Sequence, residues 1–364
     1  MKRTILLLMI LALVFATACG NNADTTTEAN GGTQPADQSD NGEQAPSGET
    51  YNWRFAHEEN DGSIQDVYVK EFVRLLNEKS GGRINVDIYP VGQIGDATQQ
   101  AELLQNNGLE FAMISPGNTG TLVPENQLFS LHFLFPEDMD KAKEVFKTSE
   151  ALNKDLSDLY LEKNIKVLSY WTEGTMEWTT SKPVNTPDLW KGLKMRTMPS
   201  PMIVASYEAY GANPTPMPYM EVYSGLQLNM IEGQENPLSA IEEMKFYEVQ
   251  KYLTLGSSSL YVTATCVNPT FFDGLPEDIQ QIILETVEET RDFSFEAQAE
   301  LNGGALEKIE AASDIEVVTL TDEEREMFKE ASQSAYQVYK DMVGEKGAAI
   351  LDKLMEEVKA IEAQ

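Results

Sequence analysis

Residues that build most catalytic and metal centres are scarce in this chain. Its 364 residues include two histidines, His57 and His132, and two cysteines, Cys19 and Cys266. Neither histidine has a second plausible ligand near it in sequence, so no zinc-binding spacing is present, and a histidine-based catalytic triad would have to use one of these two. The signatures GxSxG, GxGxxG, HExxH and the P-loop are absent. The stretch HEENDGSIQD, residues 57–66, is acid-rich around Gly62 but lacks the EF-hand spacing and reads as a strand-to-helix loop. Basic side chains are also few: 27 Lys and Arg face 59 Asp and Glu, a formal net charge of -32. Such a surface repels nucleic acid and anionic membranes, so no nucleic-acid partner is expected. Acids are so abundant that their number says nothing about a hydrolytic carboxylate pair. No cofactor is expected.

What is present, first, is an address. Lys2 and Arg3 precede the uncharged run Thr4–Ala18, which ends at Cys19. This run is shorter than the roughly 20 residues a helix needs to cross a bilayer. Its basic head, apolar middle and small-residue end fit a secretory signal over residues 1–18. Ala16, Thr17 and Ala18 before Cys19 resemble a bacterial lipobox, with Ala16 where a large aliphatic residue is usual. Cleavage before Cys19 and a lipid on its sulfur are expected, which would hold the protein to the outer face of the cell membrane; an ordinary signal peptide with an incidental cysteine is the alternative. Residues 20–50 contain no aromatic residue and no aliphatic larger than alanine. They cannot bury enough apolar surface to offset chain entropy, and residues 19–50 read as an anchor and a disordered tether of roughly 30 Å. With one other cysteine left, the mature chain has no internal disulfide, and Cys266 in the apolar run YVTATCVNP is expected to be a small buried side chain.

Residues 51–364 are long enough for one large or two ordinary domains. YNWRFAH reads as a strand, and Ile64, Val67, Phe72, Leu75 and Leu76 fall near helical spacing. A second strand follows in SGGRINVDIYP, with Gly81 and Gly82 at the helix stop. A helix over 97–106, a strand in LEFAMIS, a helix over 139–163 and strands in IKVLSYW, MEWTTS and LKMRT continue the alternation, which predicts an α/β fold with parallel strands. Ser200 with Pro201 marks a helix start, Thr321 with Glu324 forms a capping box, and a long helix is expected over 276–302.

Two stretches carry specific information: GLKMRTMPSP, residues 192–201, and GANPTPMPYMEVYSGLQLNMIEGQENP, residues 211–237. Together with EKSGGRINVDIYPVGQIGD, LHFLFPEDMDKA, GLPEDIQ and LTDEEREMFKEASQSAYQVY, they resemble the substrate-binding proteins of tripartite ATP-independent periplasmic (TRAP) transporters, the DctP-type family. The likeness spans nearly all of residues 51–343. It implies a two-lobed fold like that of periplasmic binding proteins, type II-like, with lobes joined by crossing strands and a long helix. The family's layout would put lobe I at 51–173 plus 262–301 and lobe II at 174–261 plus 302–364. It implies a non-enzymatic extracytoplasmic solute receptor that binds an organic acid between its lobes and delivers it to a membrane permease. A monomer is expected. A lipid-anchored carboxylate-pair hydrolase and a sensor lipoprotein of the same fold are the alternatives.

Site residues follow from the same resemblance. Arg196, at the carboxyl end of the LKMRT strand, occupies the family's carboxylate-binding position; a guanidinium is planar, always charged and bidentate toward a carboxylate. Asn236 matches an amide contact, though Asn before Pro237 is also a good helix cap. Tyr219 stands at an aromatic pocket position. Trp178, flanking the crossing between lobes, is a further expected ligand contact, although by bulk alone it belongs to a core. Departures are equally informative. Met176 takes the place of a second arginine found in many relatives, Ser115 and Asn118 stand where sialic-acid binders have an acid and an arginine, and Glu58 replaces an amide. The expected ligand is therefore a smaller or more apolar monocarboxylate, a 2-oxo, hydroxy or aromatic acid; a dicarboxylate is less expected with Arg196 as the one cation, although Arg54 or Lys194 could serve a second charge.

Overall fold

The computed structural model describes residues 48–364; the expected signal segment, Cys19 and most of the expected tether lie outside the described residues. Strands β1 (Tyr51–Ala56), β2 (Ile84–Tyr89), β3 (Phe111–Ile114), β4 (Lys166–Thr175), β5 (Glu177–Thr180), β6 (Lys194–Thr197), β7 (Asn213–Pro216), β8 (Gly233–Asn236), β9 (Tyr252–Leu255), β10 (Leu260–Val267) and β11 (Glu316–Thr319) are shared between two sheets. The five-stranded sheet has the order β2, β1, β3, β10, β4, and the six-stranded sheet β11, β9, β5, β8, β6, β7.

The expected parallel strands are present, but both sheets are mixed. β1 pairs in parallel with β2 and with β3, while β10 runs antiparallel to β3 and β4. In the second sheet β5 is antiparallel to β8 and β9. The reason is the connectivity. β10 enters the first sheet directly from β9 of the second, and β4 leaves for β5 through Met176 alone, so neither uses the helical crossover that enforces parallel strands. The two crossing segments hold each other: Met176 N–H donates to the Ser259 carbonyl at 2.9 Å, and Leu260 pairs with Thr175. All eight residues of β10 are buried, as expected for an apolar strand with neighbours on both edges, and Cys266 among them is a free, buried thiol.

Local signals set most element ends. Ser63 caps the helix Ile64–Lys79 by accepting from Asp66 N–H, and the chain stops that helix with Gly81 and Gly82, both at positive φ, where Gly82 N–H reaches back to the Asn77 carbonyl at 2.8 Å. The Thr321/Glu324 capping box is present and starts the helix Asp322–Glu362, which kinks at Gly344. One helix expected over 139–163 is broken. It ends at Thr148, because the Ser149 hydroxyl and Ala151 N–H both turn to the Glu357 carboxylate, and the chain resumes as a wider turn over Ala151–Leu156.

Two long helices tie the halves together. The 36-residue helix Glu277–Ala312 buries Ile283 and Val287 in the core of the first sheet and Ile309 in a cluster of the second. Within it, Asn302 donates to the Glu173 carbonyl on β4 at 2.7 Å and accepts from Ser239 N–H at 3.0 Å. Of residues 302–364, assigned by the sequence reading to the second lobe, Phe328 packs with the second sheet while Tyr339, Ile350, Leu351 and Leu354 pack with the first, because the last helix runs across both. Among the described residues no helix is long and apolar enough to cross a membrane.

Candidate binding site

The carboxyl ends of the first sheet's parallel strands carry an acidic wall. After β1 the chain turns at His57 and presents Glu58 and Glu59, both buried. Gln65, on the first turn of the following helix, fixes this turn by accepting from Glu58 N–H at 2.8 Å. The Glu58 carboxyl accepts from Ser115 N–H and from the Asn118 amide, each at 3.1 Å, and Asn118 also donates to the Ser115 hydroxyl at 2.9 Å. Ser115 and Asn118 follow β3, so the pairing of β1 with β3 is what brings residues 57 to 60 positions apart into contact. Burial pushes Glu58 up to about 7, against the opposing pull of the Ser115 and Asn118 hydrogen bonds. Glu59 faces Glu173 of β4. Burial raises both, and repulsion between the two carboxyls adds to the rise of Glu173, an arrangement in which a pair shares a proton. Glu173 is held in place by Gln65 at 2.8 Å and the Thr263 hydroxyl at 2.6 Å.

The opposite wall comes from the second sheet and carries one cation. Arg196 on β6 is 2% exposed and donates through Nε to the Met217 carbonyl at 3.0 Å. Among the described residues neither of its terminal nitrogens has a hydrogen-bond or ion-pair partner. Burial pulls its affinity for the proton down, while Tyr261 and Glu235 offset part of that loss. Tyr219 lies beside it with a buried hydroxyl that has no partner among the described residues, its ring edge-on to Phe246. The Asn236 amide donates to the Gln234 side chain. Asn236 does not cap the next helix, whose cap position is Pro237, so its side chain is left to the cleft.

Between the walls is a small cavity of about 20 Å3 lined by Glu58, Glu59, Asn118, Arg196, Met198, Tyr219, Asn236 and Tyr261. Five residues expected there from sequence are thus brought together: Arg196, Asn236, Tyr219, Glu58 and Asn118. Ser115 and Met176 instead line an adjoining chamber, although Ser115 reaches the site through Glu58. Trp178 is fully buried in the core of the second sheet, donating to the Tyr207 hydroxyl at 3.0 Å, and lines neither space. The spare cations are elsewhere: Arg54 is locked in a two-point ion pair with Glu110, and Lys194 is exposed. Sequence reasoning missed Glu59, Met198 and Tyr261. The doubled acid after β1 was the available signal for Glu59; nothing local marks Tyr261, whose position depends on the crossing strand. Among the described residues no group of three or more His, Cys, Asp or Glu is arranged to hold a metal ion.

A single cation facing acids in an enclosed space between two sheets is suited to holding a small charged solute. The description "Bacterial extracellular solute-binding protein, family 7" matches residues 55–342. The chain belongs to this DctP family. The ectoine-binding periplasmic protein TeaA of Halomonas elongata is 38% identical over 314 residues, covering 86% of this chain and 92% of that protein. The ectoine/5-hydroxyectoine-binding periplasmic protein UehA of Ruegeria pomeroyi is 37% identical, covering 85% and 91%. Among solved structures, the ectoine-binding protein of the TeaABC TRAP transporter superposes with a TM-score of 0.82 over 85% of this chain and 99% of that one, at 38% identity. A TRAP periplasmic solute-binding protein of Desulfovibrio salexigens with bound orotic acid gives 0.81 at 28% identity, over 86% and 100%. The DctP-family chain described here is therefore a non-enzymatic TRAP solute receptor with the two-lobed fold of that group.

Proposed function

We propose that this receptor binds a small zwitterion of the ectoine class: one carboxylate on Arg196 and a delocalised cation on the Glu58 and Glu59 side. The observation that carries the reading is the division of charge across the cavity, with the free terminal nitrogens of Arg196 on one wall and two buried carboxyls on the other. A bidentate carboxylate would satisfy the guanidinium. A planar amidinium would in turn stabilise the ionised form of Glu58, and the rings of Tyr219 and Tyr261 would contact it in the manner of cation–π pairs. The expected plain 2-oxo or hydroxy monocarboxylate satisfies only half of this site, and a dicarboxylate would place a second anion against Glu58. Similarity to two ectoine-binding receptors supports the same choice.

In the transport cycle the two sheet-centred lobes, divided near residues 173/174 and 261/262, close on the ligand as a population shift toward the state that contacts it from both sides. The closed receptor then docks on a TRAP permease. We further propose that a lipid on Cys19 keeps the monomeric receptor at the outer face of the membrane. Isothermal titration of the purified protein with ectoine, glycine betaine, pyruvate and malate tests the ligand class. Tight binding of ectoine with none of malate is expected; tight binding of pyruvate or malate without ectoine overturns the zwitterion reading.

A further inference from the structure

The chamber that adjoins the binding cavity has no role in the reading above. It is as small as the cavity itself, about 30 Å3 against about 20 Å3, and the two share Met198 and Tyr261 as their common boundary. Its polar lining includes Glu235 and His132. Glu235 accepts from the Tyr207 hydroxyl, and His132 Nδ1 is 2.6 Å from the Tyr210 hydroxyl, with burial holding its ring neutral. The remaining wall is largely apolar and contains Met176. A buried carboxyl with a neutral imidazole disfavours a second anion there, while an uncharged hydroxyl or alkyl group meets both acceptor and apolar surface.

Met198, one of the two boundary residues, has a flexible side chain. Met198 sits against Gly117, where an added Cβ would lie 2.6 Å from both its Sδ and its Cε, so the glycine makes room for the thioether in this seat. An unbranched thioether has several rotamers of similar energy and re-seats more readily than a branched or aromatic side chain. We propose that Met198, seated on Gly117, sets the length of ligand the receptor accepts: it closes off the second chamber, and its removal opens that chamber to the uncharged tail of a longer ligand. This inference rests on the reading of Arg196 as the carboxylate anchor.

Two size series test it by calorimetry on the native protein and on Met198→Ala: the zwitterion ectoine and a homologue with butyl in place of its ring methyl group, and the plain acids lactate and 2-hydroxyhexanoate. The native protein is expected to favour the short member of one series. Met198→Ala is expected to raise the long-to-short affinity ratio in that series about tenfold or more, the scale of a few methylenes in an apolar pocket. Met198→Val, a smaller truncation, gives the same reading if the alanine variant does not fold. An unchanged ratio in a folded variant that still binds the short ligand overturns the gate and leaves the binding reading standing. Preference for the plain acids overturns the zwitterion reading, and the gate is then judged on that series. Binding of neither series, or binding indifferent to Arg196→Ala, overturns both.

Discussion

The two walls of the cleft solve the burial of polar groups in opposite ways. On the first-sheet wall two of the acids arrive already partnered: Glu58 by Ser115 and Asn118, Glu173 by Gln65 and Thr263. Burial also raises their proton affinity, so they can discard charge in the empty state. On the second-sheet wall Arg196 cannot discard its charge within the physiological range, and only its Nε is partnered. A buried cation left this way destabilises the empty protein, so recognition and stability oppose each other at Arg196 far more than at Glu58.

Arg196→Ala breaks that contrast most directly. It should weaken ligand binding by about 3 to 5 kcal/mol, a factor of roughly a hundred to several thousand, because the ligand carboxylate is left buried without a partner. In the same variant the ligand-free melting temperature should rise. A fall in both would show that the guanidinium is a structural clamp on the Met217 loop.

Glu58→Gln comes next. It should weaken a zwitterion by about tenfold or somewhat more, the scale of a charge-assisted hydrogen bond, without raising ligand-free stability as strongly. Since Glu58 takes a proton below about 7, native affinity for a cationic group should climb up to tenfold per pH unit below that value and level off above it. Titrations between pH 5 and 9 should find that slope in the native protein and a shallower one in the variant, where the Glu59–Glu173 pair still titrates.

A smaller effect separates the walls by stability alone. Glu235, on the Arg196 side, is lifted by burial from 4.5 to about 7. The folded state therefore keeps a proton that the unfolded chain releases, and its contribution to stability is full below about 4.5 and lost as pH rises to about 7. Glu58 acts in the same window. His132, lowered to about 3 by burial, acts with the opposite sign and adds stability as pH rises from about 3 to 6.5. Urea melts of Glu235→Gln at pH 4.5, 6 and 8 should show a shallower decline than the native protein and a gain at pH 8. The smallest effect is expected at the rim, where Asn60 of the first wall donates to Glu243 of the second at 2.6 Å. Asn60→Ala should favour the open state by about 1 kcal/mol and show mainly as faster ligand dissociation in stopped-flow traces.

Much of this was legible before any coordinates. Cap signals such as Thr321 with Glu324 and the Gly81–Gly82 stop depend on neighbours three to five residues away, and both are where the sequence puts them. Arg196 was legible as the lone framed cation, and Glu58 and Asn118 as departures from an anionic sugar site. Trp178 was misplaced because a bulky aromatic next to a crossing strand reads the same whether it faces a ligand or a core. The break at Ser149 was invisible because its cause, Glu357, lies 208 residues away.

By itself the sequence determined the helices and their ends, the strand segments, the surplus of acid and the arginine held in an apolar frame, all properties of short-range pattern and composition. Only the tertiary structure decided that β10 and β4 cross between sheets, that Glu59 meets Glu173, and that Met198 and Tyr261 stand between two cavities. Each of these depends on segments far apart in the chain meeting across a sheet, and the burial that follows is what tunes their charge.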